Sequence, residues 1–238
     1  MKTLWETVIY DPIYNALIFF AQHLTWHDVG LAVVLLTIVI RLILFPLSKK
    51  SVVSQYKMKA LQPKLDAIKA KGLSKEAEAQ ETFAMYKTEK INPFSGCLYL
   101  LIQLPILFAL YFVFMRGVNQ PEHLYSFLNT DNLHNMFLGL IDITKPYLPL
   151  AILAGITQAI QAFLMPKPAI PAGGNENGFQ HQFAKSLSIQ TRFVLPLIII
   201  FIATKLAAAV SLYWAVANTF SILQELYIKR SLDKASTK

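Results

Sequence analysis

Arg41 is the side chain whose position most needs a chemical explanation, because this charged residue lies inside the apolar run Val29–Leu47. At a rise of about 1.5 Å per helical residue, that run is long enough to cross the hydrocarbon core of a bilayer. A guanidinium placed there costs at least about 2.5 kcal/mol. The sequence therefore indicates either a polar site that attracts anionic or carbonyl-rich groups, or an arginine that snorkels to the membrane interface.

Four amide side chains interrupt other apolar segments, and they are Gln103, Gln158, Gln161 and Asn218. Counted along helices from the predicted cytoplasmic ends, these amides and Arg41 lie about 6 to 14 Å deep. Taken singly, each amide is more readily explained as a hydrogen bond between helices, and Trp214 as a packing residue. The shared depth instead favours one water-filled cavity that opens to the cytoplasm and is closed toward the outside.

Other residue types exclude several kinds of chemistry. No Asp or Glu lies within the predicted spans, which argues against a carboxylate proton relay. The five histidines lie outside these spans, and Cys97 is the only cysteine, so no disulfide within the chain and no thiolate metal cluster is expected. No P-loop is present. We therefore predict no catalytic residues, no cofactor, no metal and no enzymatic activity.

Composition defines the broad class of protein. The chain has 238 residues, of which 55% are hydrophobic and 15% charged, and its mean hydropathy is +0.44. These values are typical of a polytopic membrane protein. The net charge of +8 is expected in loops that set membrane orientation, so no specific nucleic-acid partner is predicted. The N-terminus lacks the pattern of a cleaved signal peptide.

The pattern of apolar and polar residues predicts an all-α protein with five transmembrane helices. Asp28 is a candidate N-cap of the first helix, Ser74 is a candidate N-cap within the hairpin, and a turn is expected near Lys205. Residues 167–185 read as a flexible loop. The predicted segments are an extracytoplasmic amphipathic helix lying on the membrane (1–27), the first transmembrane helix (28–47), a cytoplasmic helical hairpin (48–93), transmembrane helices two to five (94–227), and a short basic cytoplasmic tail (228–238).

Lysine and arginine set the predicted orientation. Seventeen of them fall in the hairpin, in the loop after the third span and in the tail, whereas four (Lys2, Arg116, Lys145 and Lys205) fall on the other side. Cytoplasmic loops carry the excess of these residues. The N-terminus is therefore predicted outside and the C-terminus in the cytoplasm.

Four motifs, in order, resemble the YidC/Oxa/Alb membrane protein insertases: RLILFPLSKKSVVSQYKMKALQPKL, NPFSGCLYLLIQLPILFALY, YLPLAILAGITQAIQ and LYWAVANTFSILQ. The resemblance covers roughly Asp11 to Arg230. It implies a five-helix core with a hydrophilic groove open to the cytoplasm and to lipid. Arg41 matches the groove arginine, Gln103 the groove glutamine and Trp214 the groove aromatic. The turn reading KLAAAVS departs from the PAGL-like turn of the family, and a short form without a large extracytoplasmic domain is expected.

The resemblance implies an insertase that takes short hydrophilic segments of nascent membrane proteins into the groove and releases their apolar helices into lipid. Its implied partners are nascent membrane proteins and the bilayer, with the ribosome, the signal recognition particle receptor and the Sec translocon as further candidates. The alternative from another class is a small-solute transporter or channel that uses the same cavity. The absence of an internal repeat argues against that alternative. A third class, an intramembrane enzyme, lacks the required side chains.

Overall fold

A computed structural model of the chain describes residues 3–91, 95–166, 186 and 189–236, and this part is mostly helical. The predicted flexible loop at residues 167–185 lies outside the described residues. Two π-helical segments, Glu6–Tyr10 and Gln190–Val194, lead into α1 and α8. The helices are α1 (Asp11–His23), α2 (Val29–Ile43), α3 (Phe45–Ala60), α4 (Gln62–Ala70), α5 (Lys75–Thr88), α6 (Ser95–Arg116), α7 (Leu148–Leu164), α8 (Leu195–Ala203) and α9 (Ala208–Ser236).

Helix length and hydropathy do not single out an individual membrane span. Taken one at a time, none of the described helices combines the length and the apolar composition that crossing a bilayer requires. Helices α2 and α3 meet these two criteria only as a pair, which is bent by 63°. The shorter apolar helical stretches are Gln103–Arg116, Leu148–Leu164 and Gln190–Ala203.

The predicted span Val29–Leu47 is wrong at its C-terminal end. Helix α2 stops at Ile43, and the chain turns by 63° into α3. Pro46 follows the break, and because proline has no backbone N–H it cannot donate to the carbonyl of Leu42. The N–H of Leu44 closes α2 by donating to the carbonyl of Ile40 at 2.9 Å. As a result, Arg41 lies in the last turn of α2 and not in the middle of a longer helix.

Helix α9 is the central element of the bundle and contacts α2, α3, α6, α7 and α8. Its residues Ala208, Ala209 and Ala217 are buried in the main apolar core. Small side chains allow neighbouring helices to approach closely. The break between α8 and α9, at Thr204–Ala207, includes Lys205, near which the sequence predicted a turn. Helix α9 continues without interruption through most of the predicted tail.

One end of the bundle is held together by the segment between α6 and α7. Asp28 is confirmed as the N-cap of α2, since its Oδ1 accepts the N–H of Leu31 at 2.8 Å. Its Oδ2 accepts the N–H of Leu138 at 2.7 Å. The N–H of Ala208 donates to the carbonyl of Lys145 at 2.9 Å. The same loop therefore fixes the first turns of both α2 and α9.

This segment contains a small strand pair that the sequence did not predict. Strands β1 (Met136–Phe137) and β2 (Ile141–Asp142) pair antiparallel, and Gly139 in the turn has a φ of +69°. Strands of two residues are too short to show an alternating pattern of apolar and polar residues. Phe137 packs on Gly30 so closely that a Cβ there would lie 2.6 Å from the Phe137 Cβ.

Two polar side chains of α1 are buried, whereas the polar side of a simple amphipathic helix faces water. Asp11 and Asn15, which the sequence pattern placed among the polar positions, are buried. Oδ1 of Asp11 lies 2.6 Å from Nδ1 of His123. Nδ2 of Asn15 donates to the carbonyl of His123, and Oδ1 of Asn15 accepts the N–H of Tyr125. These partners lie more than 100 residues away in the sequence, so a local pattern could not reveal them.

Helices α4 and α5 pack against each other in antiparallel orientation. Leu65 and Tyr86 belong to a separate small apolar cluster between them. Ser74 is confirmed as the N-cap of α5, because its hydroxyl accepts the N–H of Ala77 at 3.3 Å. Ion pairs of 2.6 Å join Lys64 to Glu89 and Lys71 to Glu81.

The contact between α7 and α8 depends on Gly155. A Cβ at this position would overlap the side chain of Ile200 and lie 3.2 Å from the carbonyl oxygen of Pro196. We expect Gly155→Ala to lower stability by about 1 to 3 kcal/mol through overpacking. Thermal unfolding in detergent measures this loss. In a double-mutant cycle with Ile200→Ala, the two substitutions should destabilise less together than the sum of their separate effects. Additive effects would contradict this packing account.

Candidate functional site

Arg41 points into the protein and not along its outer surface. Its side chain is 6% exposed, although the surrounding residues of α2 are apolar. The last turn of a helix favours a cation, because the carbonyl end of the helix dipole is negative. Tyr213 of α9 is fully buried within electrostatic range of Arg41. The guanidinium therefore belongs to the contact between α2 and α9.

The Tyr213 hydroxyl was missed by the sequence analysis, which considered only its neighbour Trp214. This hydroxyl is buried and has no hydrogen-bond partner among the described residues. A buried polar group that lacks a partner costs free energy, so such groups commonly face water or a ligand. No local signal distinguishes Tyr213 from the other aromatic residues of the apolar segments.

Asn218 joins α9 to α7. It is 4% exposed, and its Nδ2 donates to the carbonyl of Ala154 and to the hydroxyl of Thr157, both at 3.3 Å. Thr157 immediately precedes Gln158, and Gln161 follows one turn later. The amide of Asn218 therefore acts as a bridge between helices, which is the explanation that the sequence favoured for each amide taken singly.

The remaining predicted site residues are half-buried. Gln158 and Gln161 lie on α7, and Gln103 lies on α6. Trp214 packs partly against the main core and partly against the cluster of Ala154, Ile199 and Ala215. The structure thus brings Arg41 to α9 and Asn218 to α7. It leaves the three glutamines partly accessible on their helices.

Two further polar contacts join α9 to α3, and the sequence analysis missed both. Nε2 of Gln224 donates to the hydroxyl of Ser48, and both side chains are buried. The buried carboxylate of Glu225 forms a hydrogen bond with the hydroxyl of Tyr56. Burial and, after it, the Glu225 carboxylate raise the pKa of Tyr56 well above its usual range.

Glu225 is a buried acidic residue that the sequence analysis did not single out. It falls inside the segment 94–227 and is 4% exposed. The hydroxyl of Tyr56 offsets part of the desolvation cost of this carboxylate. The partner of Glu225 lies on α3, far away in sequence, so a local pattern could not reveal this contact.

The side chains of this arrangement can hold polar groups. It combines a buried cation with amide and hydroxyl groups on α3, α7 and α9. Among the described residues, no group of three or more His, Cys, Asp or Glu side chains could hold a metal ion. Such a site suits reversible binding of an anionic or hydrogen-bonding segment.

Comparison with known proteins supplies the wider context. The profile of the family described as 60Kd inner membrane protein matches residues 19–235. The chain is 35% identical over 235 residues to a protein of Methylobacillus flagellatus named membrane protein insertase YidC, covering 98% of this chain and 38% of the relative. It is 36% identical to the Bacillus subtilis protein named membrane protein insertase MisCA, covering 94% of this chain and 79% of that protein. The chain thus spans less than half of the first relative and most of the second.

The bridge from Asn218 to Thr157 can be tested by a double-mutant cycle. We expect Asn218→Ala and Thr157→Ala each to lower the free energy of unfolding by about 1 kcal/mol. Because they remove the same hydrogen bond, their combined effect should be smaller than the sum. Ser221→Ala is the matched control, since the Ser221 hydroxyl bonds only within α9, to the carbonyl of Ala217. Full additivity between positions 157 and 218 would contradict the bridge.

Proposed function

The chain belongs to the 60Kd inner membrane protein family, and from this membership we propose that it is a membrane protein insertase of the bacterial inner membrane. The relatives named above are membrane protein insertases. The family identified from the four sequence motifs is thereby confirmed. The observation that carries the proposal for this chain is the burial of Arg41 in the apolar helix α2, within electrostatic range of the buried Tyr213 hydroxyl.

The membrane arrangement that we propose has five spans, formed by α2, α6, α7, α8 and α9. Its support is the exposure of large apolar side chains along these helices, which water would not favour. On α7 they are Ile152, Leu153, Ile156, Ile160 and Phe163. Helices α4 and α5 form the cytoplasmic hairpin, and α1 lies at the outer interface. The N-terminus is then outside and the C-terminus is cytoplasmic.

The polar residues form the proposed groove. Arg41, Gln103, Gln158, Gln161, Trp214 and Asn218 face a wet cavity that opens to the cytoplasm. A short hydrophilic segment of a nascent membrane protein enters this cavity and is held briefly by the cation and the amides. The adjoining apolar helix moves into lipid beside α7 and α9, and the hydrophilic segment is released outside.

A groove of this kind lowers the barrier to insertion. A charged or polar segment is costly in hydrocarbon, and in the groove it contacts lipid over only part of the membrane. The short α8 favours local thinning of the bilayer, which reduces the cost further. Burial of the apolar helix of the substrate supplies the driving force, so no nucleotide is required. No covalent step is involved.

The proposed partners follow from this function. Nascent membrane proteins and the lipid bilayer are the direct partners. The ribosome, the signal recognition particle receptor and the Sec translocon are candidates that would deliver or receive the same substrates. The proposal includes no cofactor and no specific nucleic acid.

A small-solute transporter or channel remains the alternative for a wet cavity. The buried tether between Asn218 and Thr157 joins α7 to α9 and opposes the opening of a continuous pore between them. Release of an encapsulated anionic dye from liposomes distinguishes the two functions. An insertase should insert its substrate without releasing the dye, whereas a channel should release the dye without any substrate.

Arg41 can be tested with purified protein in liposomes and a short single-span substrate that has an acidic N-terminal tail. Arg41→Met should lower protease-protected insertion about tenfold, because it removes a charge-assisted contact worth about 1.5 kcal/mol. Arg41→Lys should retain most of the activity. Lys145→Met, which removes an exposed cation at the other end of the bundle, is the control.

Two outcomes would contradict the proposal. If wild-type protein inserts no more substrate than empty liposomes, the chain is not an insertase for this class of substrate. If Arg41→Met inserts normally, the charge has no role in holding the tail. Thermal unfolding of each variant distinguishes loss of function from loss of fold. We expect Arg41→Met to remain folded, since replacing a buried charged group by an apolar side chain of similar size often leaves stability unchanged.

A further inference from the structure

A polar cavity lies at the end of the bundle opposite the β1–β2 pair, and Arg41 is not among its lining residues. Its volume is about 430 Å³, and its walls come from α3, the C-terminal end of α7, the segment before α8, and α9. Three cations from three of these segments line it, namely Lys59, Arg192 and Lys229. Among the residues that the structure describes, no carboxylate lines the cavity.

Arg192 is held in place at the cavity wall. Its Nη2 donates to the carbonyl of Met165 at 3.1 Å, where α7 ends. Its guanidinium also lies over the ring of Phe163, 5.8 Å from the centroid. Phe163 in turn packs edge-on against Phe193 at 5.3 Å. An arginine fixed in this way loses little further side-chain entropy when it binds a ligand.

Two acidic groups lie near the cavity, and one of them, Glu225, also acts on Lys229 through its charge. Glu225 lies behind Tyr56, is buried, and forms a hydrogen bond with the Tyr56 hydroxyl. Asp233, one turn beyond Lys229 on α9, also acts on Tyr56 through its charge. Three cations line the cavity and two carboxylates lie near it, so a net positive charge remains.

The rest of the lining is apolar, and this limits the class of ligand. Phe163, Leu164 and Pro166 form one wall, and Phe163 is half exposed at the surface of α7. The cavity therefore combines cations that suit a phosphate with an apolar wall that opens toward the lipid-facing side of α7. A free phosphate would use only the cations.

We propose that this cavity binds the phosphate-bearing head group of an anionic phospholipid from the cytoplasmic leaflet. Arg192 and the two lysines contact the phosphate, and the glycerol and the first acyl carbons lie along Phe163 and Leu164. The cavity lies where the apolar part of α7 ends and the basic surfaces of α3 and α9 begin, which is the depth of lipid head groups. This inference rests on the membrane placement proposed above and does not depend on insertase activity.

A bound lipid would also join three parts of the bundle. Lys59, Arg192 and Lys229 belong to three different segments, which are α3, the segment before α8, and α9. A shared anionic ligand removes the mutual repulsion of the three cations and should stabilise the fold when it binds. The stabilisation is a consequence that can be measured separately from binding.

The test uses the full chain in a zwitterionic detergent and a fluorescent short-chain phosphatidylglycerol, with fluorescence anisotropy as the readout. The double variant Lys59→Gln/Lys229→Gln should bind about 25-fold more weakly, because each cation near an anionic head group contributes about a fivefold change in affinity. The matched control is Lys57→Gln/Arg230→Gln, which removes two exposed cations from the same helices outside the cavity. The control should change binding less than twofold.

Arg192→Gln extends the test to the third cation and should weaken binding about fivefold or more. If Arg192→Gln disturbs the end of α7, the lysine pair still decides the outcome, because both lysines are exposed. A rise in unfolding temperature with phosphatidylglycerol, present in wild type and absent in the lysine pair, provides the second measurement.

Further ligands identify the source of the phosphate. Short-chain phosphatidylcholine, inorganic phosphate and glycerol 3-phosphate should each bind at least tenfold more weakly than phosphatidylglycerol. Inorganic phosphate that binds as tightly as the lipid would show a free-phosphate site and overturn the lipid assignment. An equal loss of binding in the control pair would show a general surface-charge effect and overturn the cavity. Insertion in zwitterionic liposomes tests the insertase function separately, so the two proposals can fail independently.

Discussion

The constraint on which the rest of the structure depends is the position of one guanidinium among apolar helices. Arg41 ends an otherwise apolar α2 and is 6% exposed. A charge in such surroundings is tolerated only where protein groups or water replace its hydration. The bend at Leu44 follows this cation in the chain, and the buried Tyr213 of α9 lies within electrostatic range of it. Arg41 is therefore a polar position within a bundle whose core is otherwise mostly apolar.

The β1–β2 end of the bundle fixes the positions of α1, α2 and α9 relative to one another. Asp28 caps α2 and also binds the β1–β2 turn, while the same segment binds the start of α9. The buried pair of Asp11 and His123 fixes α1 to this segment. The ion-paired helices α4 and α5 lie at the other end, which is where we propose that a substrate enters.

Features that depend on local sequence could be predicted, and features that depend on distant partners could not. The caps Asp28 and Ser74 and the apolar helices follow from the order of residues along the chain. The roles of Asp11, Tyr213 and Glu225 depend on partners far away in sequence. The early end of α2 is a different case. Pro46 is a local signal for a break, but the apolar residues on both sides of it have the pattern of one continuous span. For the candidate site, the sequence identified Arg41 and Asn218, whereas only the structure shows that α9 connects them.

The central claim is that Arg41 and the amides share one water-filled groove open to the cytoplasm, and cysteine labelling tests it most directly. In a chain whose single cysteine is removed by Cys97→Ser, Gln158→Cys and Ile156→Cys place a thiol at two positions of α7. The half-buried position 158 should react with a membrane-impermeant maleimide added from the cytoplasmic side. The position 156, which is exposed on the apolar surface, should react slowly because it faces lipid. Failure of position 158 to react, or equal reaction at both positions, would contradict the groove.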